Sequence, residues 1–458
     1  MKVKKSIGIL SSVVMATSLL AGPVAHAKGN LPNDMEEYTY INEVELNDTF
    51  SSANQTLSNK TAVHGTFSES DVDYYKVEVG GEGYQQLLLA LYPDGVNETD
   101  MKMHVNVYNS DKEEVHPHSA FNMFSGTYFV KPGTYYLEAQ DLANINNGKK
   151  YEFVTYVTGE SEDVVRWTAG KDRYWTAAHI AIESRAYGYA ENIVLASGED
   201  FPDALAGSPL AYHLDAELLL TQKDKLPLAT EKALETFKTK NVTIIGGTGA
   251  VSKEVENYLK NELNMNVDRI SGKDRYATAA AVAAELPDSE KAVVAYGSDY
   301  PDALSIAPYA AKNSIPILLT GKNETPEATE EALKNYGKSI AVGGTGVISE
   351  NVFNNLPDAE RISGKDRYST SVAVAEYFDW TIPTVNFATG EGYADALAGS
   401  IQSAKLGAPM VLTPKDKLAP STKQYLKENE ANYYRLFGGE GAISKSVIDE
   451  LVEIQQGK

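Results

Sequence analysis

The chain has 458 residues, no cysteine and a formal net charge of −22 at pH 7. This length accommodates several domains of roughly 100–200 residues each. The absence of cysteine excludes a disulfide framework, and the negative charge argues against general nucleic-acid binding, which depends on basic surfaces. An anionic partner would therefore have to be met by local groups of lysine and arginine.

The first 27 residues have the pattern of a secretory signal peptide. Three lysines precede the apolar run Ile7–Leu20, and Ala25-His26-Ala27 matches a small-residue cleavage site. The apolar run is shorter than the ~20 residues that a membrane span requires. We expect a secreted protein with no membrane span after cleavage, in which residues 28–36 form a short polar leader.

Residues 37–158 alternate polar and apolar side chains with a period of two, as in Tyr74–Val79. Turn signals such as Pro132-Gly133 separate these runs, which are rich in Tyr, Val, Thr and Phe. Short alternating runs between turns are typical of β-sandwiches. The segment is therefore predicted to form an all-β, jelly-roll-like sandwich.

Two parts of this segment are rich in side-chain oxygens, which calcium prefers because it takes roughly 6–8 oxygen ligands. The candidate calcium ligands are Glu43, Glu45, Asn47, Asp48, Asp71 and Asp73. The open alternative is a solvated acidic surface, which is the commoner environment of carboxylates. Zinc is not expected there, because cysteine is absent and the histidines are scattered.

After residue 161, short apolar runs alternate with helical stretches. Runs such as Ile193–Ala196 and Val242–Ile245 have the length of buried strands, and Lys253–Leu263 has the pattern of a helix. Such alternation predicts parallel sheets covered by helices on both faces. We predict three doubly wound α/β modules, over residues 161–265, 266–357 and 358–458.

Three motifs recur in the same order in each module, about 100 residues apart, well beyond the ~20–50-residue period of solenoid repeats. The first motif is Gly-Lys-Asp-Arg-Tyr, which begins at Gly170, Gly272 and Gly364. The second resembles Asp-Phe-Pro-Asp-Ala-Leu and ends at Leu205, Leu304 and Leu397. The third is a Gly-Gly pair followed by a serine suited to capping a helix, at Ser252, Ser349 and Ser444.

The first motif combines cationic side chains with the start of a helix. Helix N-termini leave N–H groups free and attract phosphates and carboxylates, arginine can grip such groups with two hydrogen bonds, and tyrosine offers a flat face to sugars. The last aspartate of the second motif begins a helix beyond the carboxyl end of a strand, where open α/β sheets bind ligands. The candidate binding residues are Lys171, Arg173, Tyr174, Lys273, Arg275, Tyr276, Lys365, Arg367, Tyr368, Asp203, Asp302 and Asp395.

An architectural role is open for the same residues. The aspartate of the first motif would then cap its helix, and the arginine would pair with the aspartate of the second motif and hold neighbouring modules together. The aromatic residues Phe201, Tyr300 and Tyr393 can likewise stack on a sugar or pack in the core. In that case lysine is the free ligand of the set.

The three copies are not identical. Trp167 stands where the other modules have Arg269 and Arg361, three residues before the motif glycine. In the third module, Gly392 and Ala394 replace the first aspartate and the proline of the second motif. Strict equivalence of the three sites is therefore not expected.

Together, the three motifs resemble the type 2 cell wall-binding repeat of Gram-positive bacteria. The resemblance implies three Rossmann-like modules around a pseudo-three-fold axis, and non-covalent anchoring to an anionic wall polymer, either teichoic-acid-like or a secondary polysaccharide. It also implies that an apolar strand in each module takes part in anchoring. These strands correspond to Leu218-Leu219-Leu220, Ile317-Leu318-Leu319 and Met410-Val411-Leu412.

The N-terminal segment resembles the pre-peptidase C-terminal domain, an accessory β-sandwich of secreted hydrolases. The resemblance rests on Glu43–Asp48, on Gly65-Thr-Phe with Asp71–Tyr75, and on Gly133–Leu137. The Glu-x-Glu-x-Asn-Asp pattern is similar to the calcium-ligand segment of collagen-binding relatives. This implies a binding or spacer module that holds calcium.

The sequence thus predicts a secreted, wall-associated and non-catalytic surface protein. The predicted modules contain only two histidines, His179 and His213, and the chain lacks H-E-x-x-H, G-x-S-x-G and P-loop motifs. Two other hypotheses stay open. One is a modulator or accessory subunit of a wall hydrolase or amidase, and the other is a calcium-dependent, collagen-like matrix binder.

Overall fold

The chain divides into two compact units, which are described separately: an N-terminal unit within Ser18–Glu162, and a repeat unit formed by Asp163–Ser184 and Tyr189–Lys458. The predicted signal peptide (1–27) and leader (28–36) lie outside the described residues. The computed structural model describes residues 39–42, 49–53, 56–57, 61–66, 72–81, 85–93, 103–115, 119–122, 125–141, 150–158, 165–185, 189–378, 380, 384–429, 431 and 433–455.

The described part of the N-terminal unit consists of strands in two sheets. The strands are β1 (Thr39–Asn42), β2 (Thr56–Leu57), β3 (Thr61–Thr66), β4 (Val72–Val79), β5 (Gln85–Pro93), β6 (Met103–Tyr108), β7 (Glu114–Val115), β8 (Ser119–Asn122), β9 (Ser125–Val130), β10 (Gly133–Asp141) and β11 (Lys150–Thr158). One sheet has the order β1-β3-β11-β5-β9-β8, and the other has the order β2-β4-β10-β6-β7. Side chains from both sheets, among them Val63, Tyr75, Leu137 and Phe153, share one buried core. The jelly-roll-like sandwich itself stays a prediction.

The repeat unit contains twelve described strands in three four-stranded sheets. They are β12 (Val165–Thr168), β13 (Asn192–Ser197), β14 (Glu217–Thr221), β15 (Asn241–Ile245), β16 (Asn266–Ile270), β17 (Lys291–Tyr296), β18 (Ile317–Thr320), β19 (Lys338–Val342), β20 (Ala359–Ile362), β21 (Thr384–Thr389), β22 (Met410–Thr413) and β23 (Tyr433–Phe437). The first sheet has the order β14-β13-β15-β16, the second β18-β17-β19-β20 and the third β22-β21-β23-β12. All strand pairs in these sheets are parallel.

Helices connect these strands, as parallel pairing requires. They are α1 (Arg173–Ser184), α2 (Gly207–His213), α3 (Leu228–Thr236), α4 (Lys253–Asn261), α5 (Arg275–Ala284), α6 (Pro301–Lys312), α7 (Glu327–Leu333), α8 (Glu350–Phe353), α9 (Arg367–Tyr377), α10 (Ala394–Leu406), α11 (Pro420–Glu428) and α12 (Lys445–Gln455). Helices α2, α6 and α10, one from each predicted module, pack against one another. The hydroxyls of Ser208 and Ser400 lie 2.7 Å apart at this contact. The three modules therefore share a continuous buried core.

The sheets cross the predicted module boundaries. Strand β16 precedes the second Gly-Lys-Asp-Arg-Tyr motif in the chain but completes the first sheet, and β20 completes the second sheet in the same way. The third sheet is completed by β12, which comes from the start of the repeat unit and pairs with β23. Each copy of the motif consequently lies between two sheets.

The apolar strands that the resemblance connects with anchoring lie in the core. All nine side chains of Leu218–Leu220, Ile317–Leu319 and Met410–Leu412 are buried in β14, β18 and β22. They cannot contact a polymer directly in this fold. They can support binding only by positioning the residues that follow each strand.

A charge cluster in the third sheet joins β12 and β23 to helix α1. The Glu183 carboxylate accepts hydrogen bonds from Arg166 Nε at 3.1 Å and from Arg435 Nη1 at 3.2 Å. Thr168 Oγ1 donates to the same oxygen at 2.8 Å. Burial opposes ionisation of Glu183, but the two arginines hold the pKa of its carboxyl below the usual value. Burial lowers the pKa of the fully buried Arg435 to about 9.

We predict that Glu183→Gln lowers the free energy of unfolding by about 3–5 kcal/mol, because it removes the carboxylate charge that faces the fully buried Arg435. The matched control is Glu285→Gln, since Glu285 follows α5 as an exposed residue at the position equivalent to Glu183. Urea denaturation of the full chain, followed by circular dichroism, measures both. Equal transition midpoints for the two variants would contradict the prediction.

Candidate functional site

The motifs meet at the carboxyl ends of the strands in the repeat unit. In the first sheet the strand order reverses beside β13, so the loops after β13 and β15 open at a topological switch point, where α/β sheets bind ligands. We use the word seam for the space between two parts of the repeat unit. One part is the carboxyl ends of the strands of one sheet, and the other is the Gly-Lys-Asp-Arg-Tyr motif that follows the strand completing that sheet, which is β16, β20 or β12. The first, second and third seams combine the correspondingly numbered sheets with the motifs that begin at Gly272, Gly364 and Gly170.

The aspartate of the first motif caps the helix that follows. Each of these aspartates accepts a hydrogen bond, at 2.8–2.9 Å, from the backbone N–H of the residue three positions later in the chain. The aspartates are Asp172, Asp274 and Asp366. The motif glycine is required by close approach, because a Cβ on Gly272 would lie 2.4 Å from Ala277 in the first helical turn. The capping role that was left open from the sequence is therefore the one observed.

Each motif arginine joins two neighbouring sheets. In the first seam, Arg275 Nη1 donates to Gly297 O of the second sheet at 2.8 Å, while its guanidinium lies 5.9 Å from the ring centre of Phe201 in the first sheet. The other two arginines make equivalent contacts, Arg367 with Gly390 and Tyr300, and Arg173 with Gly198 and Tyr393. Guanidinium–ring pairs of this kind add to the fold's stability.

The predicted pairing of arginine with the second aspartate of the second motif does not occur as an ion pair. None of Asp203, Asp302 and Asp395 lies within ion-pair distance of a motif arginine in the described structure. Arg367 instead pairs with Asp299, at 3.4 Å. The arginines hold modules together mainly through carbonyl groups and aromatic rings.

The aromatic residues of the second motif meet one another. The ring centres of Phe201, Tyr300 and Tyr393 are 5.3, 5.8 and 6.0 Å apart, with tilted or edge-to-face geometry. Such contacts add to stability beyond simple burial. The packing role, rather than a free face for sugars, is therefore the one that this geometry supports.

The motif tyrosines pack on the loops that follow β13, β17 and β21. A Cβ on Gly198 would lie 2.5 Å from the ring of Tyr174, so only glycine permits this contact. Tyr276 and Tyr368 contact Gly297 and Gly390 in the same way. Burial raises the pKa of Tyr174. One face of each tyrosine is therefore occupied by its own module.

The aspartates of the second motif are partly buried against the Gly-Gly loops. Asp203, Asp302 and Asp395 lie beside Gly246, Gly343 and Gly438, which have φ of 108, 124 and 111°. Burial raises the pKa of Asp302 and of Asp395 to about 6, although Arg367 and Arg173 act in the opposite direction. Burial also raises the pKa of Asp203, against the effect of its hydrogen bond with Thr278.

The motif lysines are exposed and weakly engaged. Lys171 Nζ lies 5.4 Å from the ring centre of Trp175, and Lys273 Nζ lies 3.8 Å from an oxygen of the exposed Glu327. Exposed pairs at such distances contribute little to stability. Among the predicted binding residues, the lysines are the ones to which the described structure gives no architectural role.

A second lysine also lies at each seam, and these lysines were not predicted from the sequence. They follow the buried apolar strands β14, β18 and β22, and are Lys223, Lys322 and Lys415. Their carbonyl groups accept hydrogen bonds from the serine N–H groups of the third motif at 2.8–2.9 Å. The sequence signal for them is a Thr-x-Lys triplet that ends each strand, at Thr221, Thr320 and Thr413.

A cavity of about 440 Å³ opens at the first seam, within the size range of ligand pockets, roughly 300–1,000 Å³. Its basic lining residues are Lys223, Lys273 and Arg275. Its acidic lining residues are Glu199, Asp200, Asp203 and Asp274. The cavity therefore mixes cations with carboxylates, and several of these carboxylates already accept hydrogen bonds from the protein backbone.

The three seams carry the motifs of a known family. A family model described as cell wall binding domain 2 matches residues 168–256, 269–353 and 361–448, one match for each copy of the motifs. The chain belongs to this family. Its repeat unit thus contains three cell wall binding repeats.

Curated relatives match this chain over part of their length. The chain is 36% identical over 296 residues to the N-acetylmuramoyl-L-alanine amidase LytC of Bacillus subtilis, covering 64% of this chain and 59% of the amidase. It is 33% identical over 300 residues to the amidase enhancer of the same organism, covering 65% of this chain and 41% of the enhancer. The chain therefore spans about half the length of these relatives.

Solved structures show the same architecture. Cwp8 from Clostridium difficile matches with a TM-score of 0.59 and 30% identity, over 64% of this chain and 52% of that chain. Cwp6 from the same organism matches with a TM-score of 0.62, over 85% of this chain and 66% of that chain. At 22% identity, Cwp6 shows the fold alone.

The predicted calcium site is largely beyond the described structure. Glu43, Glu45, Asn47, Asp48 and Asp71 lie outside the described residues. Asp73 is described, is buried in β4 and accepts a hydrogen bond from Tyr151 Oη at 2.7 Å. Within the described ranges, no group of three or more His, Asp or Glu side chains is arranged to hold a metal ion.

The same ranges contain no helix with the length and apolarity of a membrane span.

We predict that ionisation of Asp302 and Asp395 removes stability from the repeat unit as pH rises from about 4 to about 6. Asp302 and Asp395 have folded-state pKa values of about 6, above the unfolded value of about 3.9. The folded state therefore binds more protons in this window, and deprotonation favours the unfolded state. Asp395→Asn should flatten the profile and stabilise the protein at pH 7.5 by about 1–2 kcal/mol, allowing for partial exposure.

Thermal denaturation at a series of pH values measures this effect. The control is Asp416→Asn, since Asp416 is an exposed aspartate of the same module. A stability profile that keeps its slope in Asp395→Asn, or a loss of stability at pH 7.5, would contradict the assignment.

Proposed function

We propose that this chain is a secreted, non-catalytic surface protein that its three repeats hold, without a covalent bond, to an anionic polymer of the Gram-positive cell wall. The observation that carries the proposal is the repeated placement of two lysines at every seam of a chain whose net charge is −22. The pairs are Lys223 with Lys273, Lys322 with Lys365, and Lys415 with Lys171. Membership of the cell wall binding domain 2 family supports the same conclusion.

The division of labour within the motifs supports lysine as the ligand-binding residue. Asp, Arg and Tyr of the first motif cap a helix, join two sheets and pack on a glycine loop, respectively. The lysines have no such structural role. They can exchange bound counter-ions for the phosphate or carboxylate groups of a polymer, which makes binding sensitive to salt.

Three seams also allow one polymer or several polymers to be held at more than one point. Linking weak sites in one rigid unit raises the overall affinity well above that of each site, because the second contact forms at a high effective concentration. A weakly binding lysine pair at each seam is therefore compatible with firm attachment.

A second candidate function is a modulator or accessory subunit of a wall amidase. It is favoured by one observation, the 33% identity to a protein named amidase enhancer. The match covers 65% of this chain but only 41% of the enhancer, so the likeness does not by itself extend to enhancement. Mixing the pure chain with a wall amidase and following lysis of purified walls distinguishes the two functions.

We predict that Lys223, Lys322 and Lys415 changed together to alanine weaken wall binding by about tenfold to a hundredfold, since a lysine near an anionic surface contributes about 1 kcal/mol. Replacing Lys171, Lys273 and Lys365 together should have a similar effect. The measurement is co-sedimentation of the full chain with purified Gram-positive walls, before and after acid extraction of their anionic polymers.

The matched control replaces three exposed lysines away from the seams, Lys240, Lys338 and Lys427, and should bind like the wild type. Wild-type binding that survives extraction would point to peptidoglycan and refute the polymer anchor. Equal losses in the seam and control variants would remove the seams from the proposal.

We also propose that the N-terminal unit is a pre-peptidase C-terminal-like β-sandwich that presents a binding or spacer surface and holds calcium. Support comes from the two sheets with a shared core and from two acidic segments of the sequence, Glu43–Asp48 after β1 and Asp71–Asp73 at the start of β4. We predict that millimolar CaCl₂ raises the melting temperature of this unit in the full chain and that EGTA reverses the change. An unchanged melting temperature would refute the calcium site, and it would also refute the hypothesis of a calcium-dependent matrix binder.

A further inference from the structure

The three seams differ at one position close to the motif arginine. The loops of the first and second sheets carry Asp200 and Asp299 there, whereas the loop of the third sheet carries Gly392. In the second seam, Asp299 Oδ2 lies 3.4 Å from Arg367 Nη2 and offsets part of its charge. The third seam has no carboxylate at this position.

The arginine of the third seam is the most exposed of the three. Arg173 is exposed, whereas Arg275 and Arg367 are partly buried. Its Nη1 donates to Gly198 O and faces Tyr393 Oη at 3.4 Å. No described carboxylate lies within ion-pair distance of Arg173, and its Nε and Nη2 have no hydrogen-bond acceptor in the described structure.

The backbone N–H groups of the first seam are also occupied by the protein's own carboxylates to a greater extent than those of the third seam. In the first seam, the N–H of Lys223 donates to the Glu199 carboxylate at 3.0 Å, and Asp203 accepts a hydrogen bond from the N–H of Gly247. Glu391 and Asp395 occupy the equivalent positions in the third seam, and neither accepts such a bond in the described structure. The protein's own carboxylates therefore compete with an incoming anion more strongly at the first seam.

We propose that the third seam is the strongest subsite for an anionic group of the wall polymer, and that residue 392 sets this ranking. The inference rests on the proposed function and deepens it. Arg173 offers a planar edge with free N–H groups, which suits a phosphate or carboxylate. Lys171 and Lys415 lie at the same seam and add two further positive charges.

Gly392 is not required by the backbone. A Cβ at this position meets only Thr389 Cγ2, at 3.6 Å, which is an ordinary contact. Its φ lies outside the left-handed region that favours glycine. A side chain can therefore be introduced there without strain, and its charge can be tested separately from its size.

The experiment compares Gly392→Asp with the neutral isostere Gly392→Asn in the full chain. The added carboxylate should weaken binding to purified Gram-positive walls by about fivefold to tenfold at low salt, since one like charge at such short range costs on the order of 1 kcal/mol. Gly392→Asn should stay within about twofold of the wild type, and the difference should shrink in about 1 M salt, where the Debye length is ~3 Å.

Two further variants complete the design. Gly80→Asp adds the same charge in the N-terminal unit, where a Cβ meets nothing within 4 Å, and should bind like the wild type. Asp299→Asn frees Arg367 in the second seam and should strengthen binding by about twofold to fivefold, by the same electrostatic argument. Walls treated with hydrofluoric acid, which cleaves phosphodiesters, and walls with chemically reduced carboxyl groups show which anion is recognised.

The outcomes separate this inference from the proposed function. A wild-type chain that does not bind walls refutes the proposed function. A wild type whose binding depends on the polymer, together with Gly392→Asp and Gly392→Asn variants that bind alike, overturns the ranking of the seams alone. Weaker binding by Gly80→Asp to the same extent as Gly392→Asp would also overturn it, because total charge would then explain the result.

Discussion

The repeat unit depends on the contact that each motif arginine makes across two sheets. One end of the guanidinium binds the carbonyl of a glycine after the first strand of one sheet, and its face lies against an aromatic ring of the preceding sheet. Because this contact recurs three times, the carboxyl ends of all three sheets are held in a fixed relation. The lysines at the seams are positioned by that arrangement, although they contribute little to it.

The same separation of architecture from binding explains why one departure from the motif pattern is tolerated. Arg269 and Arg361 donate hydrogen bonds to Gly246 O and Gly343 O, each at 2.8 Å. Trp167 stands at the equivalent position and donates its indole N–H to Gly438 O. The replacement removes a positive charge but keeps the donor that the Gly-Gly loop needs, so the third sheet closes in the same way as the other two.

Local features of the structure could be predicted from the sequence, and long-range ones could not. The caps at Asp274 and Asp366 follow from residue type and position beside a helix. The pairing of β12 with β23 joins strands more than 250 residues apart, and no local periodicity encodes it. Lys223 was not predicted as a binding residue, because the sequence does not show that the end of β14 brings it to the same cavity as Lys273. The choice between binding and architecture for Arg275 required its contacts, since either role needs the same residue type.

The use of β12 to complete the third sheet has a consequence for how such a protein can evolve. A solenoid can gain or lose a unit at either end, because each unit contacts only its neighbours. Here the first strand of the repeat unit fills the last position, so the repeats form a closed ring with no free end. Duplication of a single repeat would add a fourth sheet, for which the mutual packing of α2, α6 and α10 at the centre of the ring leaves no place.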